Sequence, residues 1–267
     1  MRDGDLLEAR ATTRRAARTF SLACRLLPRD VRDDVYLLYL VFRRLDDAVD
    51  EGEPDAEERL AAVEAWAAGA AGRGPASREA RVLEELARRH PLPRSAFADF
   101  CRGMRDDLER VPVETEDDLD RYCYRVAGTV GVVMAHMLGM RDAARALPAA
   151  AALGMAMQRT NVLRDIDEDL AVGRVYVPTA TLGRLGGSLT PGERERVLRD
   201  QIARADALYD HGCDGIPLLV RGRRAIRSAA AMYREILRQI ERDGYGARPG
   251  RAVVPRRRKL VVAALAR

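Results

Sequence analysis

Apolar residues recur at three- and four-residue intervals along most of this 267-residue chain, the period of an amphipathic helix. The pattern predicts helices over residues 30–51, 55–72, 76–89, 95–109, 115–139, 144–172, 191–212 and 217–242. Breakers separate them: GEPDA (52–56), GRGPAS (72–77), PLPRS (91–95), LGGSLTPGE (185–193) and GYGARPGR (244–251). Thr190, Pro191 and Glu193 read as an N-cap followed by proline at the first helical position. Strand signals are nearly absent, and GRVYVP (173–178) is the one short stretch expected to be extended. With no Gly/Ser linker and no short repeat, the pattern predicts one all-α domain over residues 1–267.

At two places the apolar pattern runs straight into acids. VYLLYLVF (35–42) leads into RRLDDAVDE (43–51). At about 100° per residue, Tyr39, Arg43, Asp46 and Asp50 fall within about 60° of one another, with Asp47 displaced to the side. A solvated charged face with i,i+4 pairs explains that stripe equally well on its own. The second place is AAALGMAM (150–157), which leads into QRTNVLRDIDEDLAVGRVYVP (158–178). Here Gln158, Asn161, Asp165 and Asp169 share a stripe about 80° wide. Two Asp-x-x-x-Asp pairs facing one interior would repel unless cations lay between them. Oxygen-only donors select a hard divalent ion, Mg²⁺ first and Mn²⁺ second. Mg²⁺ completes its octahedron with water and substrate phosphate, so a phosphorylated substrate of the diphosphate class is expected.

Composition adds limits. Hydrophobic residues make up 47% of the chain, enough for a sizeable core, and aromatics only 5%. The formal net charge is +5, carried by arginine except at Lys259. No basic run is interleaved with aromatics, so nucleic acid is not expected as a partner, whereas a multiply anionic small molecule suits the charge. Cys24, Cys101, Cys123 and Cys213 form no CxxC pair and read as buried free thiols of a cytoplasmic protein. His90, His136 and His211 lack metal-ligand spacing, and no segment reaches membrane-spanning length.

Five stretches together resemble the squalene/phytoene synthase family, the head-to-head prenyl synthases of the class I isoprenoid (terpenoid) synthase fold. They are TFSLACRLLP (19–28), YLVFRRLDDAVDE (39–51), YCYRVAGTVG (122–131), QRTNVLRDIDEDLAVGRVYVP (158–178) and YREILRQIERDGYGARPGRAVV (233–254). The resemblance implies a helical bundle around a central apolar cavity, condensing two C15 or C20 prenyl diphosphates. Its path runs through a cyclopropylcarbinyl diphosphate to a phytoene- or squalene-type product. It makes Asp46 and Asp50 the first metal-binding pair, and Asn161, Asp165 and Asp169 the second set. Arg43, Gln158, Tyr233 and Arg251 become diphosphate or substrate contacts, and Tyr39 and Tyr122 cavity tyrosines near the reacting ends. Phe20, Val126 and Val130 become tunnel wall, with Gly128 and Gly131 allowing close approach. No glycine-rich dinucleotide motif is present, so NADPH is not favoured and a phytoene-like ending is. Peripheral membrane contact for product release is compatible with this, and no obligate protein partner is indicated.

Three departures qualify the resemblance. Arg159 stands where relatives carry an aliphatic residue; facing the cavity it would favour a terpene cyclase acting on a single prenyl diphosphate, and paired with an outer acid it would be structural. In the structural case Arg159→Leu is expected to change stability only slightly. Thr19 replaces a common serine. Cys24, one turn after Phe20, is a candidate closure of the tunnel. A non-catalytic relative would be expected to lose the aspartates, which are intact here.

Overall fold

A computed structural model describes residues 3–70 and 77–266. The predicted helix ends at 71–72 and the start at 76, with most of the GRGPAS breaker, lie outside the described residues. The chain runs α1 (Asp3–Ala16), α2 (Arg18–Cys24), α3 (Arg29–Asp50), α4 (Ala56–Ala67), α5 (Arg78–Ala87), α6 (Arg94–Leu108) and α7 (Glu116–Cys123). A π turn (Tyr124–Gly128) leads into α8 (Thr129–Leu138). Then follow α9 (Ala143–Arg164), α10 (Ile166–Ala171), α11 (Thr179–Leu185), α12 (Glu195–Gly215), α13 (Arg223–Arg242) and α14 (Arg256–Leu265). The described residues hold no strand, only an isolated bridge between Met140 and Leu219. The all-α expectation therefore stands.

Two apolar clusters build the core. One gathers around α3, α4, α5 and α6 and contains Leu37, Leu45, Leu60, Trp66, Leu83 and Phe97. The other joins α7, α9, α12 and α13 through Leu119, Val162, Leu198, Ile202, Tyr209 and Leu237. Helix α3 is buried on nearly every side in its middle, from Val35 to Phe42, which is why its sequence is almost continuously apolar there.

Alanine-rich α9 runs between α8 and α12 at very short range. A Cβ on Gly131 would lie 2.1 Å from the Ala150 carbonyl oxygen, and one on Gly154 2.2 Å from that of Ala127. Only glycine permits these backbones to approach so closely. Gly131 is thus a packing residue as well as part of the cavity wall.

The structure refines several sequence expectations. The helix predicted over 144–172 breaks at Asp165, whose φ of −103° and ψ of 10° end α9 and start α10. The helix expected from Pro191 begins at Glu195. The Thr190 amide instead accepts no helical role and donates to the Ser188 hydroxyl at 3.0 Å, within a turn. GRVYVP is extended in part but pairs with no strand; its role is to carry side chains to the cavity. Periodicity also passed over α1, α11 and α14, which are short or strongly charged. Of the cysteines, Cys24, Cys101 and Cys123 are buried, and burial pushes each thiol up to about 12; Cys213 is only half-buried.

Candidate active site

Between the two core clusters lies a cavity of about 540 Å³. Its wall is largely apolar: Phe20, Phe42, Phe100, Val126, Val130 and Met157 contribute to it. One part of the lining is densely charged, with Asp46 and Asp50 from the end of α3 and Asp165 and Asp169 from the α9–α10 junction. Tyr39, Arg43, Tyr122, Gln158, Asn161, Tyr233 and Arg251 also line this cavity. The metal, diphosphate and tunnel-wall candidates from the sequence therefore reach one space, although some come from helices more than a hundred residues apart; Cys24 and Gly128 do not line it.

The local reasons differ by element. On α3 the helical stripe is intact, so Tyr39, Arg43, Asp46 and Asp50 face inward together while Asp47 lies beside them, paired with Arg43. Arg43 also donates to Asp46 at 3.1 Å. In the α7–α8 region, Tyr122, Val126 and Val130 are spaced by four, and in α-helical geometry each would rotate about 40° from the last. The π turn at 124–128 adds the extra residue per turn that keeps all three on the cavity wall. On α9 the stripe of Gln158 and Asn161 carries through the break at Asp165, and Asp169 in α10 still lines the cavity.

The electrostatics are those of acids crowded in a poorly solvated place. Burial, then the charge of Asp50, raises the Asp46 carboxyl to about 7, although 39% of its side-chain surface is accessible and opens into the cavity. Burial, then Asp165, raises Asp169 to about 6. Arginines hold the other acids: Arg174 pairs with Asp50 at 2.7 Å, and Arg164 grips both oxygens of Asp165 at 2.7 and 2.5 Å. Arg251 reaches Asp165 at 2.9 Å and Glu168 at 3.6 Å. The Asn161 amide nitrogen donates to Gln158 at 3.2 Å, but its buried Oδ1 has no partner. Among the described residues no three His, Cys, Asp or Glu side chains are already gathered as a metal cluster.

Sequence reasoning missed a third acidic point. Asp107, near the end of α6, lines the cavity and accepts hydrogen bonds from the Tyr176 hydroxyl at 2.8 Å and the Tyr122 hydroxyl at 3.1 Å. The two tyrosine rings stack with centroids 4.8 Å apart. Burial raises the Asp107 carboxyl to about 6, against the lowering effect of the Tyr176 bond, Arg174 and the Tyr122 bond. The signal was available: FADFCRGMRDDL (97–108) is another apolar helix running into adjacent aspartates. Arg174 and Tyr176 had no such signal, because an unpaired extended segment has no face that periodicity can read.

Two departures resolve structurally. Arg159 does not line the cavity; it is 2% exposed and donates to Asp120, Glu116 and the Gln201 carbonyl. Arg159 thereby ceases to favour a cyclase reading. Cys24 is 1% exposed within the aliphatic cluster of α3, outside the cavity lining, where Phe20 forms the wall with its ring 5.4 Å from that of Tyr39.

Comparison with known proteins gives the class this geometry belongs to. The family model for squalene/phytoene synthase matches residues 13–258. A phytoene synthase of Thermus thermophilus is 40% identical over 238 residues, covering 85% of this chain and 80% of that protein. A 15-cis-phytoene synthase of Synechococcus elongatus is 34% identical over 276 residues, 95% of this chain and 89% of that one. The crystal structure of a dehydrosqualene synthase in complex with ligand superposes with a TM-score of 0.88 at 27% identity, over 98% of this chain and 95% of that chain. The squalene synthase HpnC of Alicyclobacillus acidocaldarius gives 0.74 at 29% identity, over 91% and 95%. The all-helical fold is that of the squalene synthase-type isoprenoid synthases. The chain belongs to the squalene/phytoene synthase family, and it is a head-to-head prenyltransferase.

Proposed function

We propose that the protein joins two prenyl diphosphates of C15 or C20 length head to head, through a cyclopropylcarbinyl diphosphate, to a phytoene-type hydrocarbon. The observation that carries this reading is the single cavity in which an apolar wall adjoins acids from two separate helices. The apolar wall suits a prenyl chain, and the charged region suits its diphosphate.

The residues present fit Mg²⁺. Asn161 presents a buried oxygen with no partner, and the Asp46 and Asp169 carboxyls are raised by burial and by neighbouring acids, a strain that a cation relieves. Asp46, Asp50, Asn161, Asp165 and Asp169 would hold it. Bound there, Mg²⁺ supplies Lewis-acid stabilisation of the diphosphate as it leaves. Arg43, Arg164, Arg174 and Arg251, now paired with these acids, lie where they can turn to diphosphate oxygens. Phe20, Phe42, Phe100 and Val130 exclude water from the allylic cation. Tyr122 can accept the proton lost at the end while passing its own hydroxyl proton to Asp107 Oδ2. The phytoene-type ending is supported by the names of the Thermus and Synechococcus relatives, and it requires no NADPH.

Helix α14 lies one layer outside the cavity wall: Ala263 packs against the small cluster of Ala23, Ala229 and Met232, of which Ala229 lines the cavity. It exposes Leu260, Val261 and Leu265 beside Arg256 and Arg257, a face suited to peripheral contact with a lipid surface that takes up the product. Among the described residues no helix is long and apolar enough to cross a membrane. The deciding experiment is incubation with C10, C15 and C20 prenyl diphosphates and Mg²⁺, followed by mass spectrometry. A linear head-to-head hydrocarbon from C15 or C20 is expected; a cyclised product retaining one prenyl unit would overturn the proposal.

A further inference from the structure

Arg194 is 3% exposed, precedes α12, and lies outside the cavity lining. Its guanidinium grips both oxygens of Asp167, at 2.7 and 2.9 Å, in a two-point fork. The remaining donors go to backbone carbonyls of Gly246 at 3.3 Å, Arg248 at 3.3 Å and Leu189 at 3.4 Å. All five N–H donors of the side chain are thus used. Asp167 receives a further bond from the Gly250 amide, at 2.6 Å. Gly246 has φ of +73°, and a Cβ there would fall 2.1 Å from Arg194 Nε, so the loop backbone wraps directly against the guanidinium.

These contacts join two pieces of the proposed site from behind. Asp167 lies in α10 between Asp165 and Asp169, but its carboxylate is spent on Arg194 and Gly250 and does not line the cavity. Gly250 immediately precedes Arg251, whose guanidinium meets Asp165 at 2.9 Å. The loop from 243 to 250 leaves α13 with left-handed residues at Gly244, Tyr245, Gly246 and Gly250; its own turn bonds end at Ala247, and the stretch that leads into Arg251 is tied down by Arg194 at Arg248 and by Asp167 at Gly250.

We propose that the Arg194–Asp167 pair is a positioning device that locks the Arg251 loop to the second aspartate turn, setting the distance between Arg251 and the acids that meet the diphosphate. This rests on the prenyl diphosphate reading above. The pair touches no substrate; it acts through Arg251. Small misplacements of such groups are expensive, on the order of a hundredfold per ångström in unfavourable cases.

The test is a double-mutant cycle on the full chain. Asp167→Asn keeps the size and one acceptor but removes the charge. Arg194→Lys keeps the charge but offers a point ammonium in place of the fork. Affinity for inorganic diphosphate with Mg²⁺ is read by calorimetry, with KM and kcat for prenyl diphosphate alongside. Each variant is expected to weaken diphosphate binding and raise KM by about tenfold, with a smaller change in kcat. On an Arg251→Gln background, Asp167→Asn is expected to cost no more than about twofold, because its effect passes through Arg251. Folded variants with parental diphosphate affinity, or losses that multiply independently of Arg251, overturn the inference and leave Arg194 a stabilising residue. If Asp167→Asn does not fold, Arg194→Lys carries the same cycle. A parent protein that binds no diphosphate removes the functional reading and the inference with it; a binding parent with indifferent variants removes the inference alone.

Discussion

Replacing Arg159 by leucine separates a structural role from a catalytic one. The guanidinium donates to Asp120 from Nε at 3.1 Å and from a terminal nitrogen at 2.8 Å, to Glu116 at 2.9 Å and to the Gln201 carbonyl at 2.8 Å. Removing one partner of a fully buried ion pair costs about 3–5 kcal/mol, and an orphaned buried acceptor about 1–3 kcal/mol. Several features reduce the sum. The Asp120 side chain is 45% exposed and can hydrate, and Glu116 keeps hydrogen bonds from Thr181 and from the Gln201 amide, both at 2.6 Å. Leucine also removes a desolvated charge. The net expectation is a loss of about 2–4 kcal/mol, well above the slight change suggested by the sequence alone. For a chain of this size it corresponds to a fall in Tm of roughly 5–15 °C. Chemical denaturation measures the loss, and mass spectrometry of the hydrocarbon tests the site. Product identity is expected to be unchanged, since Arg159 does not line the cavity. A stability change below about 0.5 kcal/mol would refute the network reasoning. A switch from linear to cyclised product would make Arg159 part of the reaction.

Further outcomes follow from the same geometry. EDTA is expected to abolish turnover, and Asp46→Ala or Asp165→Ala to lower kcat at least about a hundredfold, with Asp47→Ala milder; full activity of Asp165→Ala without metal would end the Mg²⁺ reading. Cys24→Phe is expected to destabilise by about 1–3 kcal/mol through overpacking and to leave the C15/C20 preference alone, because Cys24 is buried outside the lining; a shift to shorter substrates would place it on the wall. Asp46, raised to about 7, and Asp107 and Asp169, raised to about 6, hold protons in the folded protein that the unfolded chain has already released near pH 4. Metal-free stability should therefore fall as pH rises from about 4 to 7, and acids with lowered values act only below that window. Denaturation midpoints in EDTA at several pH values check the sign, and Asp46→Asn should flatten the slope between pH 6 and 7; an equal slope in both proteins would rule Asp46 out as its source.

Helical class and the two aspartate stripes were readable from the chain, because each depends on short-range spacing. A helix turns about 100° per residue whatever surrounds it, so Tyr39, Arg43, Asp46 and Asp50 must share a face. Two acid pairs following apolar runs then point to one shared charged region, which the structure fills in part with Arg43, Arg164, Arg174 and Arg251. The family resemblance extended that reading to Phe20, Tyr122, Tyr233 and Arg251, which periodicity alone does not assign. The tertiary structure decided what depends on which face meets which neighbour. Spacing could not tell that Arg159 would find Glu116, Asp120 and Gln201 across three helices, because it sees one helix at a time. Nor could it see Asp107 become a site residue, which required α6, α7 and the extended segment around Tyr176 to converge. The break at Asp165 and the π turn at 124–128 are similar cases: both are small departures from α geometry that residue spacing does not register, and the π turn keeps Tyr122, Val126 and Val130 on one wall.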